Sequence, residues 1–244
     1  MAMKRCWLPN LFTIANLFCG FLAMTFIVHA IEANSLAEAG TGAASNGWFV
    51  WAGLTICSAA LFDALDGRIA RALRVSSPFG KELDSLADVV SFGAAPALLV
   101  YEQVLRQHDL RGLWMGVAGL FVCCGAARLA RYNISTANHR FFLGMPIPAA
   151  GLAVTGLAIY PSHIQPQVLA MIVLCVAVLM ISTLRYPNPE YLLLDAPVPV
   201  RLLFLGLFVV AITNMRDWFF LLPVSYMVYG LVDNVMSALR PNEA

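Results

Sequence analysis

Residues 63–93 read DALDGRIARALRVSSPFGKELDSLADVVSFG. Four aspartates, Asp63, Asp66, Asp84 and Asp88, fall here in or beside two apolar segments. Asp63 and Asp66 are three residues apart, Asp84 and Asp88 four, so each pair shares one helix face. A carboxylate near the bilayer interior costs about 2.5–3.5 kcal/mol on insertion scales. One reading is plain: solvated helix ends at an interface, paired with Arg68 and Arg71. The paired spacing favours another. Like charges so placed repel each other, and a hard divalent cation bound through oxygen would neutralise them. Mg2+ and Mn2+ both suit oxygen-only ligands; with no His or Cys in the set, zinc is disfavoured.

The surrounding composition explains why these segments are read as membrane helices. Of 244 residues, 60% are hydrophobic and 12% charged, against about 45–50% and about 25% in soluble domains. Lipid is therefore the expected solvent. A net charge of +1 without a basic run excludes a nucleic-acid footprint. Cys19, Cys57, Cys123, Cys124 and Cys175 lie in apolar runs, and with Cys6 they show no metal-binding spacing. They read as packing residues rather than a disulfide framework. Lys4 and Arg5 precede an apolar run as in a signal peptide. The run is long enough to span, however, and no small-x-small cleavage site follows, so it reads as the first membrane helix.

At about 20 apolar residues per crossing, the chain divides into segments 8–31, 48–72, 79–105, 112–132, 147–164, 168–184, 198–213 and 218–239. The expectation is an all-α bundle of eight transmembrane helices forming one catalytic domain over 1–244. With the N-terminus in the cytoplasm, the cytoplasmic side holds Lys4, Arg5, Arg68, Arg71, Arg74, Lys81, Arg128, Arg131, Arg140, Arg185, Arg201 and Arg240. The other side holds Arg106, Arg111 and Arg216. Twelve basic residues against three is a strong positive-inside bias. A long polar loop is expected outside over 32–47, and a proline-rich cytoplasmic connector around Pro187, Pro189, Pro197 and Pro199.

Small residues accompany the acids. Gly67, Ala70 and Gly80 remove bulk where helices or a diphosphate would approach closely. Arg71 suits a phosphate oxygen, and Pro78 suits the first turn of the third helix.

Asp63, Asp66, Gly67, Ala70, Arg71, Gly80, Asp84 and Asp88 form the pattern D-x2-D-G-x2-A-R-x8-G-x3-D-x3-D. This resembles, without departure, the signature of the CDP-alcohol phosphotransferase family. The resemblance implies transfer of a phosphoryl-linked group from a CDP-linked donor to an alcohol, with release of CMP. It implies that Asp63, Asp66 and Asp84, together with Asp88, form the divalent-metal site, and that Asp88 also takes the proton of the attacking hydroxyl. Gly67, Arg71 and Gly80 would line the CDP site. General chemistry agrees: metal stabilises charge on the bridging phosphates, and a carboxylate activates the nucleophile.

Three further stretches bear on the alcohol. PNLFTIANLFCGFLAM (9–24) carries Asn10, Thr13 and Asn16, which serve equally for donor binding or for bonds between helices. ARLARYNIS (127–135) and FFLGMPIPAAG (141–151) complete the set. All three resemble the phosphatidylserine synthase branch of the family, which implies CDP-diacylglycerol and L-serine as substrates. Serine presents a carboxylate that Arg128 or Arg131 could clamp, with Asn133 as a further contact. Both arginines would equally anchor a helix at the headgroups, or serve glycerol 3-phosphate, so serine rests on the resemblance. The alternatives are a phosphatidylglycerophosphate or phosphatidylcholine synthase and, in another class, a cation-coupled transporter with intramembrane acids. Helices five to seven carry no interior acid to continue such a path, and Asp233 in helix eight has no assigned role. A homodimer embedded in lipid of the cytoplasmic membrane, its site facing the cytoplasm, is expected.

Overall fold

The computed structural model describes residues 7–38, 46–73, 77–107, 110–134, 141–159, 164–187, 198–213 and 221–239. The eight expected segments are helices: α1 Trp7–Glu38, α2 Asn46–Leu73, α3 Pro78–Gln103, α4 Arg111–Ile134, α5 Ile147–Ile159, α6 Pro166–Ile181, α7 Val198–Thr213 and α8 Leu221–Leu239. α1 to α4 are each long and apolar enough to cross a bilayer. α5, α6 and α7 are shorter, at 13, 16 and 16 residues. Large apolar side chains such as Leu11, Phe18, Leu61, Met115 and Val178 are exposed on the bundle, as a lipid-facing surface requires. This is a helical membrane protein. Lys4, Arg5, Cys6, Arg74, Arg140, Pro189, Pro197, Arg216, Trp218 and Arg240 lie outside the described residues.

Three expectations need correction. The polar loop over 32–47 is shorter, because α1 continues to Glu38 and α2 begins at Asn46. Ala33, Leu36 and Ala37 favour helix. At about 1.5 Å per residue the 32 residues of α1 span about 48 Å, so its polar end extends beyond a hydrocarbon core about 30 Å thick. The fifth helix ends at Ile159, short of 164. The third is not uniformly α-helical: Val89–Ala94, immediately after Asp88, is wound as a π-helix. Pro96 has no N–H for the carbonyl of Phe92, and wider turns of this kind concentrate at functional sites.

Two strands were not expected. β1 (Phe141–Leu143) and β2 (Arg185–Pro187) pair antiparallel, with Phe142 opposite Tyr186 and Leu143 opposite Arg185. Three residues each is too short for an alternating pattern to show.

The core centres on Phe92, Leu99, Phe121, Ile147, Met180 and Tyr186. Two helices seat against the π segment through glycine. A Cβ on Gly20 of α1 would lie 2.5 Å from Ser91 Oγ, and one on Gly151 of α5 would lie 2.5 Å from the Phe92 carbonyl oxygen. α3 is started by Ser77, whose hydroxyl accepts the Gly80 N–H at 3.0 Å, with Pro78 in the first turn. That start fixes the rotation of α3, and hence where Asp84 and Asp88 point.

Candidate active site

The acids converge as their spacing predicts. One carboxylate oxygen from each of Asp63, Asp66 and Asp84 lies within 4.8 Å of the others. Oxygens sharing one Mg2+ at about 2.0–2.1 Å sit up to about 4.2 Å apart, so small rotamer adjustments bring the three onto one ion. Asp84 Oδ1 is buried without a hydrogen-bond partner among the described residues. Three like charges around an unpartnered oxygen call for a cation. The residues present therefore fit a divalent metal.

α1 lays a polar stripe along this cluster at i, i+3 and i+6. Asn10 Oδ1 sits 2.9 Å from where a Cβ on Gly80 would stand, so any side chain at 80 would displace it. Thr13, 3% exposed, donates through Oγ1 to Asp66 Oδ2 at 2.8 Å. Asn16, fully buried, donates through Nδ2 to Asp88 Oδ1 at 3.3 Å. The Asn16 carbonyl accepts from Ser91 Oγ at 2.9 Å, tying α1 to the π segment beside Asp88. Asn16 and Ser91 thus belong to the site. The stripe spacing was the signal for Asn16, whereas Ser91 left none. Asp88 is 6% exposed and points into the same interior. On α2, Gly67 and Ala70 are half-buried, and Arg71 Nη1 lies 3.6 Å from where a Cβ on Gly67 would be.

The second half of the site is cationic. Arg128 of α4 is only 5% exposed. Its guanidinium lies 5.6 Å from the centroids of both the Tyr132 and Phe142 rings, a double cation–π contact. Its Nε has no hydrogen-bond partner among the described residues, and it interacts electrostatically with Asp88. A buried cation with an uncommitted donor is suited to an anionic ligand.

Arg131 differs, because its fork is occupied. Nη1 donates to the Ile181 carbonyl at 2.6 Å, and Nη2 to the carbonyls of Leu143 (3.0 Å), Ser182 (2.9 Å) and Met180 (3.3 Å). It satisfies the orphan carbonyls ending α6 and holds β1 beside them. Gly144 completes that knot at φ +78°, where a Cβ would run into the Met180 carbonyl and the guanidinium. Asn133 Nδ2 donates to Ser85 Oγ at 2.9 Å, and its carbonyl accepts from Lys81 Nζ at 3.0 Å. These bonds join the end of α4 to the start of α3. Tyr186 is fully buried and its hydroxyl lacks a partner among the described residues. Burial pushes its phenol up to about 12, so it stays protonated near neutral pH.

A sequence model of the CDP-alcohol phosphatidyltransferase family matches residues 6–183. The chain is similar to the CDP-diacylglycerol–serine O-phosphatidyltransferase of Helicobacter pylori, at 35% identity over 233 residues, covering 92% of this chain and 89% of that one. It is similar to the protein of the same name from Methanocaldococcus jannaschii, at 36% over 173 residues, 70% of this chain and 78% of that one. The Bacillus subtilis protein of that name is 33% identical over 153 residues, covering 62% of this chain and 75% of that one.

Proposed function

Because the chain belongs to the CDP-alcohol phosphatidyltransferase family, we infer that it transfers the phosphatidyl group of CDP-diacylglycerol to the hydroxyl of L-serine, giving phosphatidylserine and CMP. The relatives carrying the name of that reaction support the acceptor. The structural observation that carries the reading is the convergence of three carboxylates, with Asp88 facing a buried arginine whose Nε has no partner among the described residues.

Asp63, Asp66 and Asp84 would hold the divalent ion, Mg2+ or Mn2+. Bound there, it would offset charge on the diphosphate and on the departing CMP. Thr13 fixes the orientation of Asp66 through its hydrogen bond. Gly67, Ala70 and Gly80 keep the approach to the acids open, and Arg71 and Asn10 stand beside that approach for the phosphates.

Arg128 receives the serine carboxylate, placing the hydroxyl toward Asp88, with which Arg128 interacts. Asp88 accepts the hydroxyl proton as the serine oxygen bonds to phosphorus and the bond to CMP breaks. Asn16 keeps one Asp88 oxygen in a fixed direction. Arg131 and Asn133 act at one remove, because their donors are committed to carbonyls and to Ser85. The positive-inside charge pattern supports a site open to the cytoplasm, with the acyl chains left in lipid.

The test is incorporation of labelled L-serine into chloroform-soluble lipid by membranes containing the protein, given CDP-diacylglycerol and Mg2+ or Mn2+. Serine transfer is expected, with glycerol 3-phosphate, inositol and choline poor substitutes. Preferred transfer to another alcohol would overturn the acceptor assignment, and no transfer to any alcohol would overturn the enzymatic reading.

A further inference from the structure

In this bundle the hydroxyls of Thr25, Thr55, Ser58, Ser85 and Ser225 each donate to a carbonyl three or four residues back in their own helix. That is the usual habit of serine and threonine inside helices. Ser91 departs from it. Its hydroxyl crosses to α1 and donates to the Asn16 carbonyl at 2.9 Å. Ser91 is fully buried and lies in the π-wound segment Val89–Ala94, three residues after Asp88. Thr13 also crosses between helices, and its bond ends on Asp66.

The crossing bond closes a circuit. Asn16 presents two groups to α3: its carbonyl accepts from Ser91, and its Nδ2 donates to Asp88 Oδ1 at 3.3 Å. Gly20, four residues along the same face of α1, permits the approach, because a Cβ there would lie 2.5 Å from Ser91 Oγ and 2.8 Å from Ser91 Cα. On the other side Gly151 of α5 closes on the Phe92 carbonyl. With the segment held from both sides, the Ser91 bond fixes the register of α1 against α3. The Asn16–Asp88 bond depends on that register. At 3.3 Å it is longer than the usual N–H···O range of about 2.7–3.2 Å, so a small slip of one helix along the other would break it.

We propose that Ser91 is a positioning residue for the proton acceptor: by locking Asn16 against α3, it keeps Asn16 Nδ2 on Asp88 Oδ1 and leaves Oδ2 as the oxygen that takes the proton. Ser91 has this role only on the reading of Asp88 as that acceptor. A carboxylate released from Asn16 rotates, and neither oxygen then stays aligned with the attacking hydroxyl. Misplacement of a reacting group by about 1 Å can cost about 10²-fold in rate. Ser91 itself touches no substrate, so its effect runs through Asn16. A bond that merely packed two membrane helices together would act on stability instead.

Ser91→Ala removes only the hydroxyl. Purified wild-type protein, Ser91→Ala, Asn16→Ala and the double variant would be assayed with Mn2+, varying CDP-diacylglycerol and L-serine independently. Ser91→Ala should lower kcat by about 10-fold. Both KM values, and the Mn2+ concentration giving half-maximal activity, should stay within about twofold of the wild type. Asn16→Ala should lower kcat at least as much. Adding Ser91→Ala to it should change kcat by less than about twofold, because the bond that Ser91 steadies is already gone. An unchanged kcat in Ser91→Ala overturns the proposal. Losses that multiply in the double variant also overturn it, because they mark an independent role, and so does a rise in either KM or lost CDP-diacylglycerol binding, which marks a packing role. Asp88→Asn that loses only a few-fold overturns the reading of Asp88 and this role with it, whereas a full loss in Asp88→Asn beside an indifferent Ser91→Ala overturns this role alone.

Discussion

The acidic and cationic halves of the site are built by different means. Asp63, Asp66, Asp84 and Asp88 come from two consecutive helices joined by a short connection, and each pair is set by helical spacing alone. Around Arg128, the walls come from α4 and from a two-stranded ribbon whose halves are separated by α5 and α6, with α8 packed on the ribbon. The first arrangement is local in the chain and rigid once α3 is capped. The second depends on hydrogen bonds made by side chains that touch no substrate, chiefly those of Arg131 and Asn234. On the proposed reading, local geometry fixes the charge that would meet the diphosphate, and long-range packing fixes the cation that would receive the acceptor.

If the acidic half holds the metal, replacing one of its members should have the largest effect of any change. Asp63→Asn, Asp66→Asn and Asp84→Asn should each lower transfer by more than about 10³-fold in a protein that still inserts into membranes. Near-normal turnover in any of them, or activity surviving exhaustive chelation, would detach the cluster from metal. Asp88→Asn comes next. As the proton acceptor it should cost about 10²–10⁴-fold in kcat while CDP-diacylglycerol still binds; a loss of only a few-fold would make Asp88 structural. The cationic half should respond more mildly and differently. Arg131→Lys keeps the charge but cannot serve four carbonyls in a plane. Serine KM should rise several-fold through displacement of β1 and Phe142, and thermal stability should fall by about 1–3 kcal/mol for the carbonyls left unsatisfied. Unchanged stability would show that the knot around Gly144 holds without it.

The same contrast explains what could be read before the fold was known. Eight helices and the acidic cluster were legible, since apolar run lengths and i, i+3 or i, i+4 spacing survive in sequence. The stripe Asn10, Thr13 and Asn16 was visible as polarity in an apolar helix, but its orientation toward Asp66 and Asp88 required the packing of α1 on α2 and α3. Arg128 and Arg131 looked equivalent three residues apart. Burial and partners separate them, one with no partner for its Nε among the described residues and the other spent on carbonyls. The π turn after Asp88 and the three-residue strands carried no pattern long enough to recognise. The nearness of Tyr186 and Tyr226 left no pattern in the sequence, because it is created by β2 and Gly230.

The division between donor and acceptor halves is tested most directly by two-substrate kinetics of Arg128→Lys beside the wild type, varying CDP-diacylglycerol and L-serine independently. Lysine retains the charge but loses the planar fork and its contact with the Tyr132 and Phe142 rings. The account predicts a serine KM raised by about 10-fold or more, with the KM for CDP-diacylglycerol within about twofold of the wild type. An unchanged serine KM, or an equal rise in both constants, would contradict it.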